Sequence, residues 1–382
     1  MAPALHRAQS IAQLRALARR RLPRAVFDFF DGGAEEEISL GANTAAFEQA
    51  RLLPRVLTDV SQVDTATRLL GAPSALPLAI APMGAIGLGW RGADVAVARA
   101  AAAAGVPYTL SSAAHSTIEE VARSAGGRLW FQPYMLRQTE FVHGWVERAR
   151  AADYEALVIT VDLPVGGNRE RDRRNHFTLP FRLTPRNFLD FASRPGWSLP
   201  MLLRGQPVMG NMVGLAGGSG KTTSAGSTVG SNMDASFGWD ALQRIRDHWP
   251  RKFIVKGVLR AGDAQRLAAM GCDALVVSNH GGRQLDGAMP TFDALPAVVA
   301  AVQGRAEVLL DGGVRRGRHV VQALAAGASG VLVGRGVLYG VAAAGEPGAR
   351  RALEILREEL TRTMRLCGCR SVGEIDRALL AA

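Results

Sequence analysis

Eight short apolar runs rich in β-branched residues punctuate the chain: Leu76–Pro82, Val106–Ser112, Leu129–Tyr134, Ala156–Asp162, Phe253–Val258, Ala274–His280, Glu307–Gly313 and Gly330–Arg335. Each ends in a polar or glycine-containing tip. Stretches with apolar residues at helical spacing lie between them: Ala93–Ala104, Ile118–Ser124, Glu140–Ala152, Ala264–Met270, Phe292–Val302 and His319–Ala326, followed by a longer one, Ala349–Leu366. A continuously apolar strand is buried on both faces, as parallel strands between helices must be. Alternating strand and helix predicts βαβ units with right-handed crossovers. Eight such units fit a closed (β/α)8 barrel of the TIM type better than an open doubly wound sheet.

Six of the seven intervals between strand starts span about 20 to 35 residues. The exception, Ala156 to Phe253, predicts a long insertion after the fourth strand, on the face where barrel active sites lie. The expected organisation is one domain over residues 1–382. An N-terminal helical extension covers 1–75, the barrel 76–175 and 237–382, and a partly mobile insertion 176–236. In the extension, Ile11, Leu14, Leu17 and Ala18 form a helical apolar stripe that stops before Pro23. The first half of the insertion, His176–Val213, is rich in Leu, Pro and Phe. The second, Gly214–Ser231, is dominated by Gly, Ser, Thr and Ala and is expected to be mobile.

Charge sharpens this picture in two places. The formal net charge is +11, but residues 1–25 hold six Arg and no acid, and residues 176–236 contribute a net +3. The rest of the chain is nearly balanced. Only three basic residues are Lys (Lys221, Lys252, Lys256), a bias that says little about partners. A nucleic-acid site would need a basic stripe with interleaved aromatics, which is missing, so no nucleic-acid partner is expected. The Arg-rich start also fits a transit peptide. It runs into Val26–Phe30 without a cleavage-type break, and a retained helix is expected.

No apolar run approaches the roughly 18–20 residues of a membrane-spanning helix. Three cysteines, Cys272, Cys367 and Cys369, make neither a disulfide framework nor a metal-ligand spacing. The expectation is a reducing, cytoplasmic compartment and no metal. Gly217–Gly–Ser–Gly–Lys–Thr–Thr223 imitates a phosphate loop, but Leu215 stands where such a loop needs glycine and no buried strand precedes it.

The chemistry gathers at the strand tips, where barrel enzymes carry it. The seventh and eighth tips, Asp311–Gly–Gly–Val–Arg–Arg–Gly317 and Gly334–Arg335, form a candidate phosphate site. Gly312 and Gly313 allow close backbone approach, the helices that follow offer N-terminal amides, and Arg315 and Arg335 offer forked donors. His280 and Asp162 stand two strands apart at the same mouth, and a carboxylate beside an imidazole stabilises the imidazolium formed on proton abstraction. Arg169 and Arg283 could clamp a carboxylate. A base, its partner acid and two guanidiniums suit a reaction at the carbon next to a carboxylate; taken alone, a strand-end histidine is as often structural.

Ser278–Asn–His–Gly–Gly–Arg–Gln–Leu–Asp286 resembles the signature of the FMN-dependent 2-hydroxy acid oxidising family, which includes glycolate and lactate oxidases, lactate dehydrogenases and mandelate dehydrogenase. The likeness extends over nearly the whole chain, through Leu22–Glu36, Ile80–Gly84, Thr109–Ser112 and Val255–Gly257, with a weaker match at Cys367–Arg370. Arg194–Ser198 and Met233–Trp239 bracket the insertion in the style of mandelate dehydrogenase and bacterial L-lactate dehydrogenases.

The resemblance implies FMN as cofactor and oxidation of an (S)-2-hydroxy acid to the 2-oxo acid. By it, His280 would take a proton from the substrate and Asp162 would stabilise the protonated ring. Arg283 and Arg169 would hold the carboxylate, and Tyr134 would contact the hydroxyl. Lys256 would stabilise negative charge on the reduced flavin. Pro82, Met83, Gly84, Ser111, Gln132, Thr160 and Ser278 would contact the ring system, while Asp311, Gly312, Gly313, Val314, Arg315, Gly334 and Arg335 would hold ribityl and phosphate. Phe29 departs from the family, which usually has Tyr there to bind the carboxylate. Ala113 stands where glycolate oxidases place Trp, and with Gly84 it leaves room for a bulkier side chain. By analogy the protein would be a homotetramer. Its insertion could dock on the inner face of the cytoplasmic membrane and pass electrons to a quinone, or simply cover the site. Oxygen as acceptor, or a larger modified substrate, are the alternatives.

Overall fold

The computed structural model describes residues 5–178, 181, 185–214 and 232–381. The phosphate-loop imitation and most of the low-complexity half of the insertion lie outside the described residues. Eight parallel strands close the barrel: β3 Leu78–Ile80, β4 Tyr108–Ser111, β5 Leu129–Gln132, β6 Ala156–Thr160, β7 Lys252–Val258, β8 Ala274–Val277, β9 Glu307–Leu310 and β10 Gly330–Val333. β10 pairs with β3 to complete the ring. Both strand faces are buried, which is why the runs read as continuous rather than alternating. Ala79, Trp130, Val158, Ile254, Val276 and Leu332 fill the interior. Leu78, Ile80, Phe131, Leu157, Val255 and Leu275 pack outward against the helices.

The extension is helical, as expected, but not only helical. Helix Ile11–Arg21 starts at Ser10, whose side chain accepts from the Gln13 N–H, and buries Ile11, Leu14 and Ala18. A hairpin of β1 Thr67–Leu69 and β2 Ala72–Ser74 follows. It covers the end of the barrel opposite the tips. Glu307, at the start of β9, accepts from the Leu70 and Gly71 amides, and Arg128, just before β5, donates to the Leu69 carbonyl at 2.7 Å. Two three-residue strands are too short for periodicity to reveal.

The final helix also differs from its predicted extent. It begins at Arg335, not Ala349, and breaks at Ala344 and Gly345 before continuing to Leu366. Helix Trp239–His248 leads into β7. The insertion leaves after β6 and contributes helices Pro185–Ala192 and Pro195–Arg204. It is pinned at Trp197, whose indole N–H donates to the Leu88 carbonyl at 2.7 Å.

Candidate active site

The tips of the strands open into one cavity of about 200 Å³. A bulge in β7 at Gly257 sets its central pair. Gly257 has φ of +109°, and a β-carbon there would lie 2.7 Å from Asp162. The missing side chain lets Asp162 sit against β7 and reach His280, whose Nδ1 lies 2.9 Å from Asp162 Oδ1. His280 itself has φ of +57°. That left-handed conformation is uncommon outside glycine but among the more accessible for histidine, and strain of this kind collects at functional sites. With Nδ1 turned to Asp162, Nε2 is left for the cavity that His280 lines. Burial raises the Asp162 carboxyl, but the charges of His280 and Lys256 and the His280 hydrogen bond outweigh it, so it stays below its ordinary value.

Lys256 is 3% exposed. Its ammonium donates to Ser278 Oγ at 2.8 Å and lies 3.1 Å from Asp311 Oδ2. Desolvation lowers its pKa, yet Asp311 and Asp162 more than compensate, so the group is a fixed buried cation. Near it stand buried polar atoms with no partner among the described residues: Gln132 Nε2, Thr160 Oγ1 and Asp311 Oδ1. Such groups are costly to bury unpaired. Together they fit a polar ring system filling the cavity, which is what a flavin would present. Ser111 and Ser278 support the wall from behind, bonded to Gln132 and Lys256.

Beyond Asp311, Gly312 to Arg315 and Gly334 line the cavity. Gly313 has φ of +82°, and a β-carbon would fall 2.2 Å from the Asn43 carbonyl, so only glycine fits this turn. Two hydrogen-bond arrangements bear on the expected phosphate donors. The helix after the seventh tip, Gly317–Ala325, has its first amide bonded to Glu359 at 2.8 Å. The Arg335 guanidinium donates to the carbonyls of Phe30, Gly32 and Gly281 at 2.8–3.2 Å, which uses three of its five N–H groups, and it lines the cavity with the Gly312–Arg315 turn and Gly334.

Helix Arg24–Asp31 supplies the remaining wall. Its last carbonyls lack helical partners and sit at the negative end of the helix dipole. Arg283 takes two of them, Phe29 O at 2.9 Å and Gly32 O at 2.8 Å. Burial, with the charges of Arg169 and Arg335, brings Arg283 down to about 9 despite the opposing charge of Asp172. Arg169 and Arg283 lie 5.2 and 5.4 Å from the Phe29 ring centre, and Phe29 stacks on Phe177. Tyr134 lines the same region, and burial raises its phenol.

Pro82, Met83 and Gly84 also line the cavity, and Gly84 lies against Ala113. Leu163, Met209 and Gln284 also line the cavity, and none was singled out from the sequence. Gln284 lay inside the recognised motif, where its bond from the Gly167 amide could have been sought. Met209 comes from the irregular end of the insertion and carried no signal.

A family profile described as FMN-dependent dehydrogenase matches residues 18–382. An L-lactate dehydrogenase from Caulobacter sp. (strain K31) is 43% identical over 373 residues, covering 97% of this chain and 98% of the relative. An (S)-mandelate dehydrogenase from Pseudomonas putida is 42% identical over 370 residues, covering 96% and 92%. The crystal structure of a monotopic membrane protein, (S)-mandelate dehydrogenase, superposes with a TM-score of 0.93 at 40% identity, covering 98% of this chain and 99% of that one.

Proposed function

The chain belongs to the family of FMN-dependent dehydrogenases, and from that premise we propose that it oxidises an (S)-2-hydroxy acid to the 2-oxo acid. FMN, when bound, accepts the two electrons of this oxidation and hands them on. The observation that carries the reading is the partly buried His280–Asp162 pair at a cavity that Arg169 and Arg283 also line.

In this reading the two guanidiniums grip the substrate carboxylate. Tyr134 meets the hydroxyl. His280 takes up a proton at Nε2, and Asp162, already ionised, stabilises the resulting imidazolium through Nδ1. Lys256 is a permanent positive charge at the edge of the ring site. Gln132 and Thr160 give their unpaired atoms to the flavin, and the Gly312–Arg315 turn holds its phosphate. Gly84 and Ala113 leave space for a bulky side chain, which favours a mandelate-like acid over glycolate.

The insertion supports membrane docking. Leu199, Leu202 and Leu203 on helix Pro195–Arg204 are 54%, 82% and 74% exposed, an apolar face unusual on a soluble surface. Among the described residues no helix is long and apolar enough to cross a membrane. A helix lying in the interface fits both facts, with flanking arginines toward anionic headgroups. We place the protein on the inner face of the cytoplasmic membrane, as a homo-oligomer, a tetramer by analogy, with a quinone as acceptor. Turnover of a panel of 2-hydroxy acids tests the function: 2-oxo acid should form with quinone or dye and without peroxide. Stoichiometric peroxide would make it an oxidase, and no 2-oxo acid from any member would end the proposal.

A further inference from the structure

The stretch between Trp197 and Asn211 bears the exposed leucines at one end and reaches the cavity at the other. Asn211 is 3% exposed, and its side chain makes three hydrogen bonds. Nδ2 donates to the Ser116 carbonyl at 3.2 Å. Oδ1 accepts from the Ile118 amide at 3.1 Å and from Arg148 Nη2 at 3.0 Å. The Asn211 carbonyl accepts from the Trp145 indole at 2.7 Å. A residue of the insertion thus caps helix Ile118–Ala125 and ties in helix Thr139–Ala151. Asparagine suits the position because it must accept from two donors and donate to one carbonyl. Aspartate would lose the donor, and an apolar residue would strand three groups.

Next to it, the Gly210 amide donates to the His115 carbonyl at 3.2 Å, and a β-carbon on Gly210 would lie 2.8 Å from that oxygen. This register fixes Met209, 7% exposed, in the cavity wall. His115 follows Ala113 by two residues, so Met209 arrives on the side where Ala113 and Gly84 leave space.

We propose that Asn211 is a positioning residue that holds Met209 as the wall of the substrate side-chain pocket, so that the site's preference for bulky acids is set from the insertion. The inference rests on the 2-hydroxy acid reading for its choice of ligands. Its test uses the FMN-loaded protein and two 2-oxo acids, one with a methyl and one with a phenyl side chain. Their dissociation constants are measured by calorimetry, with Tm alongside, for wild type, Asn211→Ala, Asn211→Asp, Met209→Ala and the Asn211→Ala/Met209→Ala pair.

Asn211→Ala should weaken the phenyl acid about fourfold to tenfold, the effect of one or two buried methylene contacts, and the methyl acid less than about twofold. The selective loss should vanish in the Met209→Ala background, because the two residues act through one contact. Asn211→Asp keeps the acceptors and should lose less; if Asn211→Ala does not fold, the Asp variant with and without Met209→Ala carries the same comparison. Equal weakening of both acids, or a phenyl-selective loss that survives Met209→Ala, would overturn the proposal. Wild type binding neither acid would instead overturn the functional reading beneath it, and this inference with it.

Discussion

Replacing Asp162 with Asn isolates the charge that the active-site pair supplies. The amide oxygen can still accept from His280 Nδ1, so the ring keeps its orientation at about the present 2.9 Å. What disappears is the negative charge facing the imidazolium. A hydrogen bond to a charged group is worth about 1.5–3 kcal/mol. At about 1.4 kcal/mol per tenfold in rate, kcat should fall by roughly 10- to 150-fold. Asp162 lies on the far side of His280 from the carboxylate clamp, so KM for a 2-hydroxy acid should stay within about twofold. His280 and Lys256 keep Asp162 below the usual carboxylate range despite its burial. It is therefore ionised at every pH above about 5, so its own titration plays no part between about pH 6 and 8. Single-turnover mixing without oxygen, read at the flavin absorbance, measures the step directly. An unchanged rate, or a loss confined to KM, would refute the assignment of Asp162.

Two further expectations follow from buried groups. Phe29→Tyr places a hydroxyl between Arg169 and Arg283, and by adding one hydrogen bond to a charged carboxylate it should lower KM for small 2-hydroxy acids about threefold or more with little change in kcat; steady-state kinetics showing an equal or higher KM would count against it. Asp94 lies buried at the start of helix Ala93–Ala104, accepts from the His115 and Ser116 amides, and is pushed up to about 7 by burial. The unfolded carboxyl ionises near pH 4 while the folded one keeps its proton to about 7, so stability should fall as pH rises through that window and the full penalty should stand above it. Asp94→Asn keeps the acceptor and removes the titration. Its Tm relative to wild type should therefore be higher at pH 8 than at pH 5, and an identical difference at both would dismiss this role.

The barrel was legible because strands buried on both faces write themselves as uninterrupted apolar runs, and all eight tips followed from them. The His280–Asp162 pair was legible as two polar residues ending such runs two strands apart. What stayed hidden depends on partners far along the chain. Nothing near Arg335 shows that its guanidinium is claimed by carbonyls of Phe30, Gly32 and Gly281, and nothing near Gly317 shows that Glu359 takes its amide. The β1–β2 hairpin is too short to impose a period, and its role depends on Glu307 and Arg128 at the bottom of other strands. Met209 reaches the cavity only because Asn211 anchors an irregular segment to two helices, an arrangement with no local pattern.

The most direct measurement is the anaerobic reaction of the FMN-loaded protein and its His280→Ala variant with (S)-mandelate and (S)-lactate. Wild type should lose its flavin absorbance and yield one 2-oxo acid per flavin. The variant, with flavin still bound, should react at least about a hundredfold more slowly, the scale of a missing general base. Reaction of the His280→Ala protein at the wild-type rate would contradict the account at its centre.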